Sequence, residues 1–490
     1  MISFNLIPGN IRVPGNYIEV DPSKAFRGLS GLPTKLLVIG QKLAAGTAAE
    51  NVAIPMTRAD DAKTAFGTGS MLANTISKIL AANQYLEVYA IPQLDNAAGT
   101  AATGSIAFSG APTQAGTQNI YIGGQQVQIS VLTTDTPATL ATKLVAAIAA
   151  LPDLLVTSVV DGVVVGKVNL TFKHKGENGN FLDLRANYHT DQTTPSGLTI
   201  AFTAMSGGAG NPNVSAVIAA IGDTWWTDIT MAYTDVSNIT AMEAELSRRF
   251  GPLAQIDGYC YIGYSDTHSG LVTKGSARNS PYMVSAGLKK SPTPPWEVAA
   301  VLATQCAYFG NIDPARPFQT LPMPGVLAPA KNDLFTLQER NIQLYNGIST
   351  FKVDAGGNLL IERTITNYRV SASGATDPSM LDINIMKTIT YLRYDSRNYI
   401  ALRYPRHKLA NDGTAFSKGQ AVVTPMVVRA ALINRFKQWE GQGLVEDLAQ
   451  FKEDLIVERD ENDNDRLNAL IPPNIVNGFR VFAGLFQHRL

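Results

Sequence analysis

The sequence predicts a mixed α/β and α+β multidomain protein, with an α/β core, a β-rich module inserted into it and an α+β C-terminal part. Three observations predict this. Apolar runs that stop at Gly or Pro alternate with segments of helical periodicity, the pattern of a parallel sheet covered by helices. Charge density changes sharply, with 11 charged residues among the 115 of segment 96–210 and 29 among the 120 of segment 371–490. A chain of 490 residues also has the length for about three domains.

In chain order, residues 1–30 read as an arm. Pro8-Gly9 and Pro14-Gly15 break it into short extended pieces, with Ile2 and Phe4 in one and Tyr17 and Ile18 in the other, too short to make a core. The first core segment is 31–95. Lys35–Gly40 is a buried strand, Ser70–Asn83 a helix with Leu72, Ile76, Ile79 and Leu80 on one face, and Leu86–Ile91 a second strand. Segment 96–210 is the inserted module, rich in Thr, Gly and Ala. Its strands are Ser105–Ser109, Asn119–Ile122, Gln125–Val131, Leu155–Val160, Val163–Phe172 and Leu198–Phe202, with a helix over Ala138–Ala150. Gly123-Gly124 between two alternating runs is a hairpin signal.

The core resumes over 211–370, which makes it discontinuous. Val214–Ile221, Ala241–Phe250, Trp296–Phe309 and Asp333–Arg340 read as helices, and Ile229–Tyr233, Gln255–Ile262, Ile348–Val353 and Asn358–Ile365 as strands. In the last part, 371–490, Thr424-Pro425 supplies an N-cap and a proline at the first helical position. That helix runs to Gly441, and a second covers Leu444–Leu455.

The totals exclude several classes. Lys+Arg and Asp+Glu both number 40, so nothing argues for a nucleic-acid partner, and zero net charge suits self-association. Cys260 and Cys306 sit in apolar surroundings and read as buried free thiols rather than a disulfide framework. No signal peptide is expected at the start, and no run is apolar enough to span a membrane, so a soluble product of a reducing compartment is expected.

Candidate chemistry is sparse. Ser265, Asp266 and His268 crowd one strand end, but adjacency in sequence does not supply the geometry of a triad, and no G-x-S-x-G elbow is present. Gly207-Gly208-Ala209-Gly210 lacks the Gly-Lys-Ser/Thr ending of a phosphate loop. Glu461, Asp463 and Asp465 alternate like a calcium loop, yet position 6 is Arg466 and position 12 is Pro472. The five histidines have no zinc spacing, the Lys173-to-Asn180 turn is too small for nucleic acid, and Trp225-Trp226 reads as packing. No catalytic, cofactor-binding or metal-ligating residue is expected, and no cofactor.

The feature left over is the segment Phe479–Leu490. Phe479, Val481, Phe482, Leu485, Phe486 and Leu490 make an apolar β-type run with no return strand after it. Such a run is either an inner strand of its own domain or a template for pairing with another chain.

Several separated blocks carry a family resemblance: Ile361–Tyr368, Asp377–Asn384, Thr390–Tyr394, Tyr404–Gly413, Asp454–Asp460 and Asn477–Leu490, with Trp225–Ile229 and Tyr233–Asp235 in the core. In this order they resemble the contractile tail sheath proteins of Mu-like bacteriophages and prophages. The resemblance implies a structural subunit of the virion, assembled in the host cytoplasm, that polymerises helically in six-fold discs around a tail tube. It implies contraction that drives the tube through the host envelope for genome ejection, with the tube protein, baseplate and terminator proteins as partners. It also implies a subtilisin-like core without the protease's catalytic residues, an outward-facing insertion, and terminal arms that pair with neighbouring subunits. The charged C-terminal part would face the tube, with Arg429, Arg435 and Lys437 as contacts. The competing readings are an α/β hydrolase-like enzyme using the Ser265–His268 loop and a secreted adhesin or surface-layer protein.

Overall fold

The computed structural model describes residues 31–417 and 419–489. Ile2, Phe4, Tyr17, Ile18 and Leu490 therefore lie outside the described residues. The chain enters through β1 (Lys35–Gln41), β2 (Ile54–Pro55), α1 (Ala59–Phe66), α2 (Met71–Ala82) and β3 (Glu87–Gln93). In β1, Leu36 and Val38 face one cluster of apolar side chains while Leu37 and Ile39 face another. A strand buried on both faces is the mark of a sheet covered by helices on each side. α2 starts where expected, because the Ser70 hydroxyl accepts a hydrogen bond from the Ala73 N–H at 3.1 Å.

The next elements are β4 (Ala101–Gly110), β5 (Gly116–Ile122), β6 (Gln125–Val131), α3 (Pro137–Ala149), β7 (Val156–Val160), β8 (Lys167–Lys175), β9 (Leu184–Ala186) and β10 (Leu198–Ser206). They form two antiparallel sheets of their own, in the orders β10-β4-β8-β7 and β6-β5-β9. The β5–β6 turn has φ of 56° at Gly123 and 79° at Gly124, the conformation that glycine enters without strain. This unit is tied to the first sheet through His174, whose side chain is fully buried. Its Nε2 accepts the otherwise free N–H of Met71 at 3.0 Å, which leaves Nδ1 as the donor to Asp95 Oδ1 at 3.0 Å.

The chain then returns through α4 (Ser215–Ile221), β11 (Asp228–Met231), α5 (Val236–Phe250), β12 (Tyr259–Ser265), α6 (His268–Ser276), β13 (Met283–Leu288), α7 (Pro295–Ile312), α8 (Leu337–Tyr345), β14 (Ile348–Val353) and β15 (Leu359–Arg363). The large sheet has the order β15-β14-β13-β12-β11-β1-β3-β2. From β3 to β14 every pairing is parallel, and the two outermost strands are antiparallel. α1, α2 and α7 pack on one face, and α4, α5 and α6 on the other. Gly263 allows α7 to lie close to β12, since a Cβ there would stand 1.9 Å from the Pro295 carbonyl oxygen.

The last elements are α9 (Ile383–Arg403), β16 (Lys408–Leu409), β17 (Val422–Val423), α10 (Pro425–Gly441), β18 (Val445–Glu446), α11 (Leu448–Asp454), β19 (Ile456–Arg459), β20 (Leu467–Leu470) and β21 (Asn474–Ile475). A third cluster gathers Val428, Leu432, Phe436, Trp439, Phe451 and Leu455, with the Phe436 and Phe451 rings stacked at 4.1 Å. α9 connects this cluster to the large sheet. Its Lys387 pairs with Asp228 on β11 at 2.6 Å, and Arg393 pairs with Asp257 at 3.0 Å. Asp395, further along α9, is held by Arg435 and Trp439 of α10.

Several expected boundaries are corrected, and unexpected elements appear. The helix expected over 333–340 lies at Leu337–Tyr345, set by a capping box between Thr336 and Glu339. The helix expected over 444–455 is shorter, because Val445 and Glu446 pair with Ile475 and Asn474 before the helix begins at Leu448. Strand Val163–Phe172 begins only at Lys167, since Asp161 accepts the N–H groups of Val163 and Val164 and turns the chain there. Finally, α1, α6, β13, α9 and the β19–β20 hairpin are additions to the elements expected from the sequence.

Among the described residues the core also holds an acid with no oppositely charged partner at hydrogen-bond distance. Glu297, in the first turn of α7, is 2 % exposed, and its Oε2 has no hydrogen-bond partner among the described residues. Burial raises its pKa from 4.5 to about 7, opposed by the Lys78 charge. A folded-state pKa above the unfolded value means that the native protein holds a proton the unfolded chain has released. Stability should therefore fall as pH rises from about 4.5 through 7 and level off above that. Glu297→Gln is expected to match the parent at pH 4 and to exceed it at pH 8 by on the order of 2–3 kcal/mol in urea unfolding.

Candidate subunit interface

The C-terminal part ends in side chains that its own fold does not use. After β21 the chain has no regular secondary structure from Val476 to Arg489, so the strand expected over this segment does not form within the subunit itself. Phe479, Val481, Phe482, Leu485 and Phe486 are 74 %, 79 %, 83 %, 86 % and 93 % exposed. An inner strand of the same domain would be paired and covered, so that alternative is set aside among the described residues. Five large apolar groups exposed within eight residues are the kind of feature that marks an interaction site.

Only the root of this segment is fixed. The Gln319 side chain donates to the Phe479 carbonyl at 3.2 Å, and Gly478 sits against Pro317. Arg480 reaches the Asp382 carboxylate at 3.0 Å and the Asn384 side-chain oxygen at 3.4 Å. Burial holds the Arg480 pKa below the usual guanidinium range, with Asp382 opposing and Arg363 adding to the shift.

The three basic residues expected at a second, charged surface are not equivalent. Arg435 is 6 % exposed and does not reach a surface. Its Nε donates to Asp395 Oδ2 at 2.6 Å, and its Nη2 donates to Oδ1 of the same carboxylate. The expectation for Arg435 is therefore corrected: its charge is spent inside the α9–α10 contact. Arg429 is half-buried and donates to the carbonyls of Lys452 and Leu455, closing the end of α11. Of the three, Lys437 is exposed.

The other candidate motifs do local structural work. Thr267 caps α6 by accepting the Gly270 N–H at 3.2 Å, and Asp266 pairs with Lys274 at 2.6 Å. His268 faces Gln343 at 3.4 Å, so no Ser265–His268–Asp266 relay forms. Asn211, after the glycine run, accepts the Glu177 N–H and donates to Asp235, closing the junction with the inserted sheets. Asp460 accepts the N–H groups of Asn462 and Asp463, making the acidic stretch the turn of the β19–β20 hairpin. Among the described residues no group of three His, Cys, Asp or Glu side chains is placed to hold a metal ion, and no helix is long and apolar enough to cross a membrane. Cys260 and Cys306 are buried free thiols as expected, and burial pushes Cys306 up to about 12. Trp225 and Trp226 pack as expected, Trp226 edge-on to Tyr89 and Trp225 edge-on to Tyr394 of α9.

Comparison with known proteins places these features. Residues 207–367 match the phage tail sheath protein central domain, and residues 375–489 match the phage tail sheath C-terminal domain. The Mu-like prophage FluMu tail sheath protein of Haemophilus influenzae is 42 % identical over 486 residues, covering 99 % of each chain. Among solved structures, a sheath tail protein of Desulfitobacterium hafniense aligns with 94 % of this chain and 100 % of its own, at 12 % identity and a TM-score of 0.48. The contracted helical sheath of the anti-feeding prophage aligns with 98 % of this chain and 100 % of its own, at 12 % identity and a TM-score of 0.48. With full-length identity of 42 % to a tail sheath protein, and with both sheath domains matched in order, this chain belongs to the phage tail sheath protein family.

Proposed function

We propose that the protein is the structural subunit of a contractile tail sheath. In this reading it polymerises helically in six-fold discs around the tail tube, and its contraction drives the tube through the host envelope for genome ejection. The observation that carries the self-association part is the exposed apolar run from Phe479 to Phe486 on an otherwise well-buried C-terminal cluster. Main-chain hydrogen bonds to a neighbour's sheet would supply affinity and alternating side chains would fix register. A contact of this kind that does not close on itself generates a helical filament.

Segment 1–30 is then the N-terminal arm, 31–95 and 211–370 form a subtilisin-like core without a catalytic triad, 96–210 is an outward-facing insertion, and 371–490 is the C-terminal sheath domain. The tube protein, baseplate and terminator proteins are its partners. Lys437 and the exposed face of α10 around it carry the tube contact, without Arg429 and Arg435. The protein is a virion component, assembled in the host bacterial cytoplasm, and not an enzyme. The capping role of Thr267 and the Asp266–Lys274 pair support the last point over a hydrolase.

Negative-stain microscopy of the purified protein tests this. Hollow tubes or rings are expected, and discrete monodisperse particles at every concentration would defeat the reading. On purified extended tails, mild heating should cause irreversible shortening with subunits retained; reversible shortening or release of free subunits would reject stored contraction energy.

A further inference from the structure

The root of the terminal segment is held by one carboxylate that two arginines share. Asp382 begins α9, and its side chain is 12 % exposed. Arg363, at the end of β15, binds it through two nitrogens at 3.1 Å and 2.9 Å. Arg480 meets the same carboxylate only as an ion pair, at 3.0 Å, and directs its hydrogen bond to Asn384 Oδ1 at 3.4 Å instead. A two-point contact between a guanidinium and a carboxylate is the stronger geometry. The pair on the body is therefore the firm one, and the pair to the terminal segment yields first. Both guanidinium groups compete for one negative charge, so the site carries a net positive charge. Asn384, the acceptor for Arg480, has its own amide fixed by the Arg316 carbonyl at 2.6 Å. Beyond Arg480, from Val481 to Arg489, the described segment is exposed throughout.

We propose that Arg480, clipped to the Asp382–Arg363 pair, is a positioning residue that sets the direction in which the terminal segment leaves its subunit for a second copy of this chain. The proposal rests on the reading that this segment pairs between subunits. A segment that starts from a fixed root searches fewer orientations before it docks, so the clip lowers the entropic cost of assembly. The weaker side of the clip, an ion pair without a hydrogen bond to the carboxylate, also lets the root turn without disturbing the start of α9.

The test uses the full chain with the two buried cysteines in place. Lys437→Cys and Val481→Cys, the latter directly beyond the root, provide two accessible positions for spin labels, and the distance distribution between them is measured on the dilute, unassembled subunit. With Arg480 intact the distribution should be narrow. Arg480→Gln should widen it about two-fold and raise the protein concentration needed for polymerisation about ten-fold. Hydrogen exchange over 383–388 should stay unchanged. A distribution that stays narrow in Arg480→Gln overturns the clip, as does equal loss of protection at the start of α9, which would make Arg480 a brace for the helix. Failure of the underlying reading is separate: a chain lacking Phe479–Leu490 would then still polymerise, whatever the labels report.

Discussion

Removing Phe479–Leu490 is expected to leave a folded, soluble subunit that no longer polymerises. The two halves of this outcome have different physical origins. The removed apolar side chains contribute almost nothing to the subunit's own core, since all five described ones are at least 74 % exposed. The main interactions lost within the subunit are the Arg480 ion pair with Asp382 and its hydrogen bond to Asn384, and Asp382 keeps its two-point partner Arg363. Stability should therefore change by less than about 1 kcal/mol in denaturant unfolding. Assembly, in contrast, should lose the strand that we propose each subunit donates. Pairing by strand addition depends on main-chain ladders and on alternate apolar side chains entering pockets, and both go with the segment. Sedimentation velocity at rising concentration should show a single small species where the parent forms large polymers. The double variant Phe482→Asp, Phe486→Asp, which keeps chain length, should weaken assembly in the same direction. Polymers formed by the truncated chain would remove the central claim.

What the sequence disclosed about this fold follows from where apolar residues carry the signal. β1, α2, β3 and the Gly123-Gly124 hairpin are legible because burial is apolar and the caps and turns use residues with a local mechanism. α9, at 21 residues, is not. Its buried face includes Asn384, Lys387, Thr388, Thr390 and Asp395 beside Ile383, Met386 and Leu392, so no apolar stripe marks it. Lys387, Thr390 and Asp395 find their partners in Asp228, Asp257 and Arg435, which lie 40 to 159 positions away in the chain. A pattern search along one segment cannot see partners that distant. The apolar part of the candidate interface is legible, since five side chains that stand exposed already form an unreturned apolar run in the sequence. Its charged part misleads. A helix bearing Arg429, Arg435 and Lys437 looks like a basic surface until the partners of Arg429 and Arg435 are known.

Arg435 supplies the second large expected effect because it is a buried charge and not a surface contact. Asp395 is fully buried, and it receives two nitrogens of Arg435 and the Trp439 Nε1 at 2.7 Å. The Arg435 guanidinium also lies 4.9 Å from the Tyr399 ring centroid, so its removal uncovers a ring as well as a carboxylate. Arg435→Met keeps most of the volume but leaves the Asp395 carboxyl with a single neutral donor, the Trp439 indole. Removing one partner of a buried pair typically costs about 3–5 kcal/mol, because the remaining charge has lost both water and its counter-ion. The loss should appear first where α9 meets α10, as faster hydrogen exchange in 425–441 with the large parallel sheet still protected. Lys437→Ala, two positions away on the same helix and exposed, should shift stability by no more than about 0.5 kcal/mol. If neutralising Asp395 as well, in Asp395→Asn with Arg435→Met, restores most of the loss, the cost belongs to the stranded carboxylate. If the double variant is as unstable as the single one, packing around the guanidinium stem accounts for most of the cost, and the ion pair is not what joins α9 to α10.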